Sequence, residues 1–137
     1  MITIYEYVGV HANSPDWNSD RQLNAQKLLD ICALLETELI AAGIEFPINP
    51  KTNSGVSGET NGGFREQNCI VGAPNSSHKE GQAVDRYDPE NKIDAYLMAN
   101  QDLLVKYGIY IESPDSTPSW SHWSTRAPGS GHHVFIP

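Results

Sequence analysis

Two histidines and an aspartate are the residues in this chain best suited to metal chemistry. His78 and Asp85 flank the segment Ser76-Ser77-His78-Lys79-Glu80-Gly81-Gln82-Ala83-Val84-Asp85, and His122 follows inside Ser119-Trp120-Ser121-His122-Trp123. Two imidazoles and a carboxylate are a normal ligand set for zinc. Three protein ligands leave one coordination position open, which separates a catalytic site from a closed structural one. Zinc in such a site lowers the pKa of a bound water to about 7 and supplies hydroxide without a strong base. Residue types alone leave the set open, because His11, His132 and His133 are further imidazoles able to compete.

These side chains need a scaffold, and 137 residues with 39% hydrophobic and 19% charged side chains suit one domain, residues 1–137, with its own core. A short apolar start, Ile2 to Val10, leads into a polar, turn-rich stretch. The clearest helix then opens on Ser19 and Gln22, which have capping-box spacing, and carries Leu28, Cys32, Leu35 and Leu39 on one face up to Gly43. Alternation of Ile44, Phe46 and Ile48 reads as a short strand. Residues 51–77 are rich in Gly, Asn and Ser, a loop long enough to be functional or mobile. A second helix is expected from Pro89, capped by Asp88, to about Tyr107, with Gly108 ending it. Strands are expected at Ile109–Glu112 and Trp120–Ser124, with a last edge strand at Val134–Ile136. Two main helices interleaved with short strands predict an α+β fold with a small antiparallel sheet.

Seventeen acidic against nine basic side chains give a net charge of −8. That balance predicts no nucleic-acid partner and no docking on anionic membranes, since both need a basic face. No apolar stretch approaches the roughly 20 residues of a membrane span, and the first residues lack the basic start and apolar run of a signal peptide. The expectation is a monomer made in the cytoplasm, which reaches a cell wall only after release or as part of a virion. Cys32 and Cys69 are too few for a disulfide framework and read as reduced thiols.

The segment Ser76-x-His78-x-x-Gly81-x-Ala83-x-Asp85 resembles, position for position, the S-x-H-x-x-G-x-A-x-D signature of the M15 metallopeptidases. That family includes D-Ala-D-Ala carboxypeptidases, dipeptidases and phage endolysins, and the Hedgehog signalling domain shares its fold. Trp120-Ser121-His122 is similar to the family's downstream W-x-H, and Gly63-Phe64-Arg65 to its G-[YF]-R turn, followed by Asn68, Gly72-Ala73 and Asn75. The resemblance covers about residues 62–122. It implies zinc on His78, Asp85 and His122, and an Arg65 guanidinium aimed at the scissile carbonyl as an oxyanion donor. Ser76 has two roles open to it: bonding the backbone of its turn, or fixing a zinc imidazole's second nitrogen. Trp120 and His122 would share one face of a strand. Trp120 would pack by the metal and touch substrate, whereas Trp123, opposite, is either cleft lining or core.

One position departs from the family. Many members carry Glu or Asp three residues before the last histidine ligand, where this chain has Ser119. Two carboxylates precede it, Glu112 and Asp115, and the C-terminal part is similar to a phage-type branch in which a Glu is expected at Glu112. The implied activity is zinc-dependent hydrolysis of a peptide bond in peptidoglycan stem peptides, either D-Ala-containing or L-Ala-D-Glu. Its rival is a non-catalytic zinc-binding structural or adaptor protein of a phage or prophage, which Ser119 favours.

Overall fold

Thr3 opens the first helix of the computed structural model, which describes Met1–Pro137 throughout. Helix α1 spans Ile4–Val8. Thr3 Oγ1 accepts the Glu6 N–H at 3.1 Å, while the Glu6 carboxylate accepts the Thr3 N–H at 2.8 Å, a complete capping box. Helix α2, Ser19–Ala41, is the longest element, and its cap is Asn18 rather than Ser19: the Asn18 side chain accepts the Arg21 N–H at 3.0 Å. The face expected to be apolar is the buried one, with Leu28, Cys32, Leu35 and Leu39 in the core. Truncating Leu28 or Leu35 to alanine should cost about 2–5 kcal/mol. Past the helix, Gly43 takes φ +88° and the Ile44 N–H returns to the Leu39 carbonyl at 3.0 Å, the left-handed ending that glycine permits.

No strand forms at Ile44–Ile48. Ile44 and Phe46 pack against the core, but Ile48 is 60% exposed and no neighbouring strand pairs with the segment. The long loop that follows carries neither helix nor strand up to Ser76, beyond isolated bridges at Asn49–Ser54 and Val56–Arg86.

In place of one second helix there are two, α3 at Lys92–Ala99 and α4 at Asp102–Tyr107. Asp88 does cap, accepting the Ile93 and Asp94 N–H groups at 3.0 and 3.1 Å, but Pro89 lies in a turn and the helix starts three residues later. The break falls at Asn100, whose side-chain amide donates to the Tyr96 carbonyl at 2.9 Å and competes with helical propagation. Gly108, at φ +63°, ends α4.

Four strands make the sheet: β1 (Ala83–Tyr87), β2 (Tyr110–Glu112), β3 (Trp120–Ser124) and β4 (Val134–Phe135), in the order β1-β3-β2-β4. β3 runs antiparallel to both neighbours, but β4 joins β2 in parallel, so the sheet is mixed rather than wholly antiparallel. Side chains alternate across it. Val84, Arg86, Ile111, Ser121 and Trp123 belong to the face covered by the core. The buried Arg86 guanidinium lies 4.8 Å over the Phe46 ring and 5.0 Å over Trp123, and pairs with Glu36 at 3.1 Å. No helix is long and apolar enough to cross a membrane.

Candidate metal centre

The opposite face of the sheet carries one row of chemistry. Asp85 on β1 is the register partner of His122 on β3, and Glu112 on β2 is the partner of Phe135 on β4. Ile111 pairs with Trp123, so continuing that register by one residue sets Glu112 beside His122. Read across the strands, the row is carboxylate, imidazole, carboxylate, aromatic ring. His78 reaches it from the 3-10 turn Ser77–Glu80 that leads into β1. Asp85 Oδ1 lies 2.9 Å from His122 Nδ1 and 3.2 Å from His78 Nε2. Ligand atoms about 2.1 Å from a tetrahedral ion stand roughly 3.4 Å apart. His78, Asp85 and His122, all buried with ligand atoms within 4.8 Å of one another, therefore fit a metal ion with small adjustments. Glu112 Oε1 lies 3.8 Å from the same His122 Nδ1, beside the three ligands but outside their set.

The motif residues explain how this cluster is held. His78 Nδ1 meets the Gly63 carbonyl at 2.8 Å. A carbonyl only accepts, so Nδ1 carries a proton, and Nε2, turned toward Asp85, is the nitrogen that would give up its own proton to a metal. Gly63 has no space for a side chain, because a Cβ there would stand 2.0 Å from the Tyr7 carbonyl oxygen. Phe64 is fully buried in the core. Arg65 spends its donors on fixed acceptors: Nη2 on Asp85 Oδ2 at 3.2 Å, Nη1 on the Val71 carbonyl at 3.3 Å and Nε on the Asn61 carbonyl at 2.8 Å. It holds one Asp85 oxygen and leaves the other facing the imidazoles, in contrast to the free oxyanion donor expected from the resemblance. Gly81, at φ +73°, turns the chain between the ligands with its Cα against α2, where a Cβ would meet the Arg21 carbonyl at 2.5 Å. Of its two roles, Ser76 takes the backbone one: its Oγ accepts the His78 N–H at 3.3 Å.

Burial disfavours charge on all three ligand groups. At Asp85 burial acts to raise the pKa, yet the His78 charge and hydrogen bonds from both imidazoles outweigh it and hold the carboxyl well below its usual range. Burial prevails at His78, whose pKa falls. At His122 burial is overcome by the hydrogen bond and charge of Asp85, with Glu112 adding, and the pKa rises. A buried carboxylate pulling positive charge onto its neighbour is the electrostatic counterpart of a cation site.

Over the row lies a cleft of about 520 Å³, walled by Val71, Trp120, Pro128 and Phe135, with Glu112 and Arg126 among its polar residues. Trp120 lines it as expected. Trp123 does not: it is 0% exposed in the core, with its indole N–H donated to Ser121 Oγ at 2.8 Å, so it cannot touch a substrate. Asp115, on the 3-10 turn Pro114–Ser116, is exposed and outside the cleft lining, which removes it as a proton carrier. Ser119 is exposed on the turn before β3, at φ +82°, with its N–H on Asn91. The rival imidazoles are elsewhere: His11 bonds Glu66 and the Thr60 carbonyl, His133 stacks on Tyr110, and His132 is exposed. Comparison with family models, curated proteins and solved structures yields no match.

Proposed function

We propose that this chain is a zinc-dependent peptidase of the M15, Hedgehog/DD-peptidase type that cleaves peptide bonds in peptidoglycan stem peptides. The observation that carries the reading is Glu112: a half-buried carboxylate 3.8 Å from a ligand imidazole, facing the cleft and bonded to nothing else. Zinc on His78, Asp85 and His122 supplies polarisation of the scissile carbonyl and an acidified water. Glu112 takes the proton from the attacking water and delivers it to the leaving amine. Gly63 and Arg65 keep His78 and Asp85 oriented through turnover. Trp120 and Phe135 flank the peptide and limit water beside the reacting bond.

Purified peptidoglycan incubated with zinc-loaded protein should release new amino groups, and Glu112→Gln protein should release almost none. Release that is absent from the wild type, or equal in the two proteins, would sink the reading. A second reading, a zinc-stabilised structural or adaptor protein of a phage or prophage, draws support from Ser119 in the place where many M15 enzymes carry an acid. It expects zinc without release of amines.

A further inference from the structure

The cleft holds a cation that the proposed chemistry does not use. Of the nine cationic side chains, Arg21, Lys51, Arg65, Arg86, Lys92 and Lys106 each pair with a carboxylate. Lys79 is buried and spends its ammonium on the Gln67 and Pro74 carbonyls. Lys27 stands on the exposed side of α2. Arg126 is the remaining one: it lines the cleft with no carboxylate partner, in a chain of net charge −8. An arginine surrounded by so much acid yet paired with none is available for an acid brought from outside.

Arg126 is also pre-positioned. Its backbone N–H is held by Ser124 Oγ at 3.0 Å, and Ser124 is the last residue of the strand that carries His122. One Nη2 hydrogen is donated to the Asn75 carbonyl across the cleft, in the turn before His78. That single bond orients the guanidinium and leaves most of its five N–H donors unused. Ala127, Pro128 and Pro137 line the same cleft beside it, and a guanidinium meeting a carboxylate there forms a charge-assisted, bidentate hydrogen bond. Arg126 follows His122 by four residues, so the two Cα atoms are at most about 14 Å apart, a few residues of extended peptide.

We infer that Arg126 is a specificity residue that binds a carboxylate of the peptide lying in the cleft. Two sources share that chemistry. One is the terminal carboxylate of a peptide cut near its end, and the other is the free α-carboxylate of an internal γ-linked D-glutamate. The inference rests on the peptidase reading only in taking the ligand to be a stem peptide.

The test is binding measured by calorimetry in the zinc-loaded Glu112→Gln protein, which leaves peptides uncut. Two probe pairs are used: N-acetyl-D-Ala-D-Ala against its C-terminal amide, and N-acetyl-L-Ala-γ-D-Glu amidated only at its terminal carboxyl group against the same peptide with its α-carboxylate also amidated. The acid should bind about 10- to 100-fold tighter than the amide in at least one pair, and the pair that discriminates identifies the source. Adding Arg126→Gln should abolish that preference, Arg126→Lys should keep part of it, and zinc content should not change. A preference that persists undiminished in Arg126→Gln belongs to the metal and overturns the inference, as does the lack of any preference in both pairs. Acid preference through Arg126 in a protein that leaves peptidoglycan uncut would remove the peptidase reading and keep this one.

Discussion

Asp85 and His122 face each other directly across β1 and β3, with Oδ1 and Nδ1 2.9 Å apart. Because the pair is fixed by the strand ladder, its separation does not depend on a flexible loop. His78 is the only ligand group outside the sheet, and its ring is pinned by the Gly63 carbonyl.

Zinc added to the purified protein should remain at about one ion per chain after dialysis, as read by elemental analysis. His78→Ala or His122→Ala should lose it. Retention by both variants would mean that the ion sits elsewhere.

Arg65→Ala frees Asp85 Oδ2, the oxygen that the guanidinium now holds at 3.2 Å. Loss of such an orienting partner should weaken zinc binding about 10- to 100-fold in a chelator competition. An oxyanion donor behaves differently: zinc affinity would stay at the wild-type value while turnover fell about 10²–10³-fold.

Glu112→Gln should keep fold and zinc while lowering peptidoglycan hydrolysis by about two to four orders of magnitude. Asp115→Asn, on an exposed turn outside the cleft, should leave the rate near wild type. Comparable losses in the two variants would contradict the geometry.

Asp94, which is not one of the three candidate ligands, supplies a separate pH signature. Its carboxyl is fully buried in α3, accepts from Thr117 Oγ1 at 2.9 Å and has an unpartnered Oδ1; burial pushes it from 3.8 up to about 6. The folded state therefore binds the proton more tightly than the unfolded chain. Its contribution to stability is present below pH 4 and is lost as pH rises through about 6. Asp94→Asn should stabilise the protein at pH 8 by about 3 kcal/mol, with the gain vanishing near pH 4 in denaturant titrations. A gain independent of pH would show that the carboxyl is not the cause.

Legibility in the sequence followed how far each segment's burial pattern is periodic. β3 was readable because Trp120-Ser121-His122-Trp123-Ser124 is short, aromatic and bounded by turns, and α2 because its apolar stripe runs unbroken for several turns. β1 was missed: in Ala83-Val84-Asp85-Arg86 both faces are buried, one by core and one by the candidate metal centre, so no alternation survives. Thr3-x-x-Glu6 carried a capping box that would have announced α1. The break between α3 and α4 left little trace, since Leu97 and Leu104 are separated by a whole number of turns. At the site, ligand types and their motif were visible, but the row that brings Glu112 beside His122 exists only once three strands are in register.

The placement of Trp120 and Trp123 on opposite faces of β3 gives the protein two optical reporters only three residues apart. Trp120 looks into the cleft, so its emission should respond to an occupant and to a soluble quencher. Trp123 is sealed beneath Arg86 and Phe46, out of a quencher's reach until the sheet opens. With the third tryptophan, the half-buried Trp17, replaced by phenylalanine, fluorescence can therefore separate the filling of the cleft from the loss of the fold within a single titration.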